Sequence, residues 1–280
     1  MTDPDLRLPP GQAVTPERAG WRHLSFSVHD LSGPMEVGGD GVETAAIVLG
    51  GGGCRVGDLS LPGRASVWDG LPSAAYLPPG VAAAVAPEGA SVTVAVASAP
   101  ASGRRTAEAP VRIGPEDVRV EIRGAGNATR QINHIITPDF PADRLEVVEV
   151  YTPSGNWSSW PPHKHDVDAM PDEAVLEEVY HYRFARPEAW ALQRVYRADR
   201  SPLGAPRDAV WAVRDGEVVI VTDGYHPFSA TDADDAYYLN ALAGDRRTMA
   251  CSFDPALDHV RSRWSGQDPD PRLPLVGPPG

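Results

Sequence analysis

Cysteine is scarce in this sequence, and long apolar runs are missing. The chain of 280 residues contains two cysteines, Cys54 and Cys251, too few for a disulfide framework or a thiolate zinc site. No run approaches the roughly 18–20 apolar residues of a membrane span, and the first residues lack the basic-then-apolar start of a secretory signal. We therefore expect a cytoplasmic globular protein with no membrane partner.

Positive charge is also in short supply. Lysine and arginine together number 25 against 38 aspartates and glutamates, which leaves a formal net charge of −13. A protein that follows a nucleic-acid backbone needs a basic surface, so we do not expect nucleic acid as a partner. Lys164 is the single lysine, and all other basic residues are arginines.

Glycine and proline, by contrast, are abundant, with 27 and 29 residues, and this argues against long helices. Short apolar runs between glycine and proline turns are typical of an all-β sandwich or barrel with few short helices. Two β-rich halves of similar size suggest a duplicated small barrel. The expected division is an arm at residues 1–20, a first barrel at 21–110, a second barrel at 111–255 and a proline-rich tail at 256–280.

Local signals support this interpretation. Asp215-Gly216 stands between the β-type runs Ala209–Arg214 and Glu217–Val221, and an Asp-Gly pair in this setting predicts a hairpin. Only Asp172–Glu177 and Asp258–Trp264 have the pattern of a helix.

Two of the eight histidines form a His-x-His pair, His163 and His165. On a strand both would point to one face and reach one metal ion, while Lys164 would point to the opposite face. Glu178 and His226 are candidates for two further ligands, and such a set suits Zn²⁺, Mn²⁺, Fe²⁺ or Ni²⁺. A His-x-His pair also occurs among histidines that are simply exposed or hydrogen-bonded, so both interpretations stay open at this point.

The order His-x-His, Glu and a distant Gly-x-His is similar to the ligand order of the cupin superfamily, which consists of small β-barrels. The spacing departs from the generic pattern, because Glu178 follows His165 by 13 residues. A narrower resemblance accounts for this departure, and it covers about residues 20–255. The segments that resemble the signature of the KduI/IolB bicupin family are Trp68–Ser73, Tyr76–Gly80, Ile113–Val118, Arg130–Ile132, Tyr151–Asp166, Leu176–Tyr180, Gln193–Tyr196, Gly224–Pro227 and Tyr237–Asn240.

This resemblance implies two fused jelly-roll barrels, of which the first is without metal. The second would hold one divalent ion through His163, His165, Glu178 and His226, with Glu178 rather than Glu177 as the carboxylate ligand. The implied reaction is an aldose–ketose isomerisation of 5-deoxy-D-glucuronate to 5-dehydro-2-deoxy-D-gluconate in myo-inositol catabolism. In that reaction the metal would stabilise an enediolate.

Such a reaction also needs a base that carries a proton between two carbons. Tyr180, Tyr182 and Tyr238 are candidates, and a metal-bound hydroxide is another. Aromatic side chains on strands more often fill a barrel, so this choice remains open.

The substrate carboxylate needs a cationic or amide partner, and an arginine fork matches it best. Arg183 and Arg194, together with Gln193, are the candidates for substrate binding. Each arginine could instead form an ordinary ion pair at the surface.

Other functions fit parts of the pattern. They are the 5-keto-4-deoxyuronate isomerase of pectin breakdown, a mononuclear-iron cupin dioxygenase, and a sugar-binding bicupin without catalytic activity. The insertion between Asp166 and Glu177 argues against the first. Exposed strand edges and the tail are compatible with a homo-oligomer, but the sequence does not specify its size.

Overall fold

The chain folds mainly into β-strands, and the computed structural model describes residues 6–104, 106–197 and 206–277. The first strands are β1 Arg7–Leu8, β2 Ser25–Leu31, β3 Met35–Gly38, β4 Val42–Gly51, β5 Cys54–Val56, β6 Leu59–Leu61, β7 Ala74–Leu77, β8 Ala82–Pro87, β9 Val92–Pro100 and β10 Val111–Ile113. They are followed by β11 Arg119–Arg123, β12 Arg130–Ile136, β13 Leu145–Thr152, β14 Trp157–Ser158, β15 His163–Lys164, β16 Glu177–Phe184, β17 Trp190–Arg197, β18 Arg207–Arg214, β19 Val218–Val221, β20 Phe228–Ala230, β21 Ala236–Ala243 and β22 Ser252–Phe253. The helical segments are α1 Pro16–Ala19 and the 3-10 turns Pro115–Asp117, Gly126–Ala128 and Asp258–Trp264. Among the described residues, no helix is long and apolar enough to cross a membrane.

Two β-units follow one another along the chain, and each contains two main sheets. The first unit has a five-stranded sheet, β10-β7-β4-β9-β2, and a four-stranded sheet, β3-β8-β5-β6. The second has a seven-stranded sheet, β1-β19-β16-β21-β13-β12-β11, a four-stranded sheet, β14-β20-β17-β18, and the short pair β15-β22. The prediction of an all-β, two-unit fold with few short helices is confirmed.

Two segments cross the expected division of the chain. Strand β10 pairs with β7 of the first unit, whereas the sequence predicts that residues 111 onward belong to the second barrel. Strand β1, in the amino-terminal arm, pairs with β19 of the second unit. The sheet of the second unit therefore includes a strand of the amino-terminal arm, and a sheet of the first unit includes residues 111–113.

The main core lies between the two units. Along β4, Ala45, Ile47 and Leu49 face the second unit, whereas Ala46 and Val48 face the partner sheet of their own unit. This alternation is the ordinary period of a strand. Strands β13 and β21 are buried along their whole length, because one face packs against the first unit and the other faces the interior of the second. The central strands of this sheet are thus packed on both faces.

The predicted hairpin at Asp215-Gly216 is wrong in one respect. The turn exists, with Gly216 at φ 77°, but β18 pairs with β17 while β19 pairs with β16 and β1. The two strands therefore lie in opposite sheets, and the turn is a corner between them. Long-range pairing outweighs the local turn signal, because Tyr182 exchanges backbone hydrogen bonds with residues 216–217.

The predicted helix at Asp172–Glu177 is also wrong, whereas Asp258–Trp264 is helical as expected. Tertiary contacts explain the difference. The buried carboxylate of Glu173 accepts hydrogen bonds from the backbone N–H groups of residues 166–167 at 2.8 Å and from Lys164 Nζ at 2.7 Å. These contacts hold the segment in an irregular conformation that folds back on the His-x-His strand.

Buried glutamates join the units through backbone N–H groups. Glu43 of β4 accepts hydrogen bonds from residues 143–145 of the second unit at 2.6–2.8 Å. Glu177 of β16 accepts hydrogen bonds from residues 22–24 of the first unit at 2.7–2.9 Å. Because a carboxylate with several N–H donors is satisfied without water, both charges tolerate burial.

A buried ion pair also crosses the interface. The guanidinium of Arg64 binds the carboxylate of Glu149, and both side chains are at most 3% exposed. Tyr237 donates a further hydrogen bond to Glu149 at 2.8 Å. Because neither charged group has access to water, each relies on the other for electrostatic stabilisation.

We expect the Glu149→Gln variant to lower the free energy of unfolding by about 3–5 kcal/mol, because it leaves the Arg64 guanidinium buried without its counter-charge. Urea denaturation of the full chain measures this loss. The matched control is Asp208→Asn, which breaks the exposed pair with Arg194 and should leave the midpoint almost unchanged. Equal midpoints for wild type and Glu149→Gln would contradict this role of the pair.

Candidate metal centre

The four predicted ligands come from separate parts of the second unit. His163 lies on β15, which pairs with β22, and His165 follows directly. Glu178 lies near the start of β16, in the middle of the seven-stranded sheet, and His226 precedes β20. Strand alternation turns Glu178 toward the interior of the second unit and turns its neighbour Glu177 toward the first unit, where it binds the backbone described above.

These four side chains converge. Nitrogen atoms of His163, His165 and His226 all lie within 4.8 Å of one another. Glu178 Oε2 lies 2.9 Å from His165 Nε2 and 3.3 Å from His226 Nε2. Glu178, His165 and His226 are buried, and His163 is half-buried.

Backbone carbonyls set the orientation of two of the rings. His165 Nδ1 donates to the Leu176 carbonyl and His226 Nδ1 donates to the Gly224 carbonyl, both at 2.9 Å. A carbonyl can only accept, so the proton of each neutral ring sits on Nδ1 and the lone pair on Nε2. Each Nε2 lone pair therefore faces the Glu178 carboxylate, which is also an acceptor.

Two facing acceptors repel unless a cation lies between them. His226 Nε2 is fully buried and has no hydrogen-bond partner among the described residues. Such an orphaned nitrogen is expensive unless an ion or a proton satisfies it. The donor set thus fits a divalent cation, and three imidazoles with one carboxylate suit Zn²⁺, Mn²⁺, Fe²⁺ and Ni²⁺ alike.

The electrostatics of the cluster agree with this fit. Burial favours the neutral acid, but the imidazoles of His165 and His226 outweigh it and lower the pKa of Glu178 to about 2. Burial also opposes an imidazolium, yet Glu178 raises the pKa of His165. Burial and the neighbouring imidazoles lower the pKa of His163 well below its ordinary value. The cluster therefore keeps one negative charge and attracts a positive one.

A second layer of contacts holds the His226 loop. Gln193 Nε2 donates to the His226 carbonyl at 2.9 Å, and Gln193 Oε1 accepts from the Tyr182 hydroxyl at 2.9 Å. Asp166 accepts from the Gly224 N–H at 2.7 Å and pairs with Lys164, which points away from the cluster as expected. Gln193, predicted to bind substrate, is fully buried and contacts the backbone of the predicted ligand His226.

A cavity of about 660 Å³ opens beside the cluster, and both Tyr180 and Tyr238 line it. Ser159 Oγ lies 2.8 Å from the Tyr180 hydroxyl and 3.5 Å from the Tyr238 hydroxyl. Burial raises the pKa of both tyrosines, so their hydroxyls hold their protons near neutral pH. Tyr182, the third predicted candidate for the base, does not line the cavity.

The two arginines predicted to bind substrate lie elsewhere. Arg183 pairs with Asp215 at 3.0 Å, and Arg194 pairs with Asp208 at 2.7 Å. Neither lines the cavity. Both arginines thus form ordinary ion pairs, which is the alternative that the sequence leaves open for them.

Sequence reasoning missed two groups in the cavity wall, Arg130 and Ser159. Arg130 occurs in the segment Arg130–Ile132, which contributes to the family resemblance, but no spacing rule connects it with His163. Ser159 has a positive φ of 47°, a strained conformation for a residue other than glycine and one that occurs often at functional sites. A local pattern alone could not have identified either.

Comparison with known proteins decides the family. The family model described as KduI/IolB matches residues 7–260. The chain belongs to the KduI/IolB family. Among its relatives, 5-deoxy-glucuronate isomerase from Geobacillus kaustophilus is 38% identical over 258 residues, which cover 88% of this chain and 89% of the relative. The protein of the same name from Lacticaseibacillus casei is 38% identical over 200 residues, 70% of this chain and 69% of the relative.

Solved structures agree with this assignment. An IolB-like protein from Salmonella typhimurium LT2 superposes with a TM-score of 0.83 at 33% identity, covering 91% of this chain and 99% of the other. Oxalate decarboxylase from Lactobacillus farciminis superposes with a TM-score of 0.58 at 12% identity over 90% of this chain and 86% of the other, which indicates a shared fold only. This KduI/IolB chain thus has the two-unit fold expected of a bicupin.

Proposed function

We propose that this protein is a metal-dependent aldose–ketose isomerase that converts 5-deoxy-D-glucuronate to 5-dehydro-2-deoxy-D-gluconate, a step of myo-inositol catabolism. One observation carries the proposal. Three imidazoles and Glu178 converge beside a cavity of about 660 Å³, in a chain whose relatives bear the name 5-deoxy-glucuronate isomerase. His163, His165, His226 and Glu178 would hold the ion.

The reaction moves a proton from C2 to C1 of the sugar acid and another from O2 to O1, with no net oxidation. Its barrier comes from removing a proton next to a carbonyl group, which leaves negative charge on oxygen. When bound, a divalent ion supplies a Lewis acid that stabilises such charge. A non-redox ion would suffice for this role.

The tyrosine pair beside the cluster is suited to moving the oxygen-bound proton. Tyr180 and Tyr238 are connected through Ser159, and Tyr238 donates to Ser158 at 2.9 Å. Because burial raises the pKa of both phenols, each is a proton donor at neutral pH. That either tyrosine also acts as the base on carbon stays a prediction.

The direct test is a product assay on 5-deoxy-D-glucuronate under anaerobic conditions, with and without a chelator. We expect the ketose to form without oxygen, the activity to disappear on chelation, and a divalent ion to restore it. The Glu178→Gln variant should lose turnover by at least about 100-fold, because it removes the carboxylate that the ion requires. An active chelated enzyme, or product that depends on oxygen, would contradict the proposal.

Thermal unfolding of Glu178→Gln separates catalysis from a bracing role of the ion. Lost turnover with a nearly wild-type Tm supports an enzyme. Loss of both turnover and thermal stability would instead support a bracing role, in which the ion only stabilises the fold.

The tyrosines provide a second prediction. Tyr180→Phe and Tyr238→Phe should each lower kcat by about 10²–10⁴-fold, because each removes a hydroxyl that transfers a proton. Tyr76→Phe is the matched control, since it removes a buried hydroxyl that donates to Glu43 at 2.7 Å in the first unit, outside the cavity, and should keep kcat within about tenfold. Steady-state kinetics on the metal-loaded protein measure this difference. If all three substitutions lowered kcat by the same small factor, a role of Tyr180 and Tyr238 in proton transfer would be excluded.

A further inference from the structure

Arg130 differs from the other buried arginines in the part of the chain that the structure describes. The guanidinium groups of Arg64, Arg144 and Arg197 each bind a carboxylate, namely that of Glu149, Asp245 and Asp223 respectively. Arg130 is 7% exposed, and in the described parts of the chain no carboxylate binds it. A buried charge without a counter-charge is costly unless a ligand supplies one.

Backbone carbonyls hold this side chain in place. Arg130 Nη1 donates to the carbonyls of Ala128 and Trp160, both at 3.2 Å. Within the described residues, Nε and Nη2 have no hydrogen-bond acceptor, so two donors of the fork are available to a ligand. Burial lowers the pKa of Arg130 to about 10, which still leaves it charged at neutral pH.

The position of Arg130 connects it with the metal centre. Arg130, Ile132 and His134 share one face of β12, and all three line the cavity that also contains His163 and Glu178. The Trp160 carbonyl that binds Arg130 comes three residues before His163. A ligand in this cavity can therefore contact the histidine cluster and the guanidinium together.

We propose that Arg130 binds the carboxylate of the substrate and so selects uronates over neutral sugars of the same length. The fork of Nε and Nη2 matches the two oxygens of a carboxylate in a bidentate pair. The inference rests on the proposed function for the identity of the substrate, but the anion site itself follows from the geometry of Arg130. It assigns to Arg130 the role that the sequence suggested for Arg183 or Arg194.

The test compares Arg130→Gln, Arg130→Lys and wild type in the metal-loaded full chain. For 5-deoxy-D-glucuronate we expect Arg130→Gln to raise KM on the order of 100-fold with a much smaller change in kcat, because a buried charged hydrogen-bond partner is lost. Arg130→Lys keeps the charge without the fork and should raise KM about tenfold. With 5-deoxy-D-glucose, which lacks the carboxylate, all three proteins should have the same kcat/KM. The control is Arg186→Gln, an exposed arginine that should leave KM unchanged.

Calorimetric binding of D-glucuronate and D-glucose gives a readout that does not depend on turnover. Wild type should bind D-glucuronate more tightly than D-glucose, and Arg130→Gln should lose this preference. If wild type shows no isomerase activity but Arg130 still determines the preference, the proposed function fails and the anion site stands. If Arg130→Gln turns over with an unchanged KM, the anion site is wrong and the function stands. Should Arg130→Gln fail to fold, an unchanged KM in Arg130→Lys overturns the inference, because it shows that the fork is not used.

Discussion

The candidate metal centre depends on one electrostatic constraint, the repulsion between acceptors that face each other. Carbonyls of Leu176 and Gly224 fix the Nδ1 protons of His165 and His226, so both Nε2 lone pairs point at the Glu178 carboxylate. A cation between them turns this repulsion into attraction. A proton on His165 can serve the same purpose, which means that a metal ion and a proton compete for the site.

The fold creates this constraint by burying the central strands of the seven-stranded sheet on both faces. Because β13, β16 and β21 pack on both faces, the side chains of neighbouring residues are committed to opposite directions. Glu177 binds the first unit and Glu178 faces the histidines, so the same strand contributes to the inter-unit contact and to the site. The first unit supports the candidate site by covering the outer face of this sheet.

Much of this could be predicted from the sequence, because it rests on local patterns. The His-x-His spacing places His163 and His165 together, and the family resemblance identifies Glu178 and His226. Contacts between distant segments could not be predicted in this way. The Asp215-Gly216 turn is a corner between two sheets because its flanking strands pair with other strands. Arg130 is buried in the cavity wall and Arg194 is not, and this difference arises only when β12 closes one side of the cavity.

The account is tested most directly by anomalous diffraction from crystals of the zinc-loaded protein, recorded at the zinc absorption edge. We predict one strong peak about 2.0–2.2 Å from Nε2 of His165, Nε2 of His226, a ring nitrogen of His163 and a carboxylate oxygen of Glu178. The ion would then separate the nitrogen and oxygen atoms that now lie 2.9 Å apart. A fully occupied zinc site elsewhere, with His165 and Glu178 still in direct contact, would contradict the central claim.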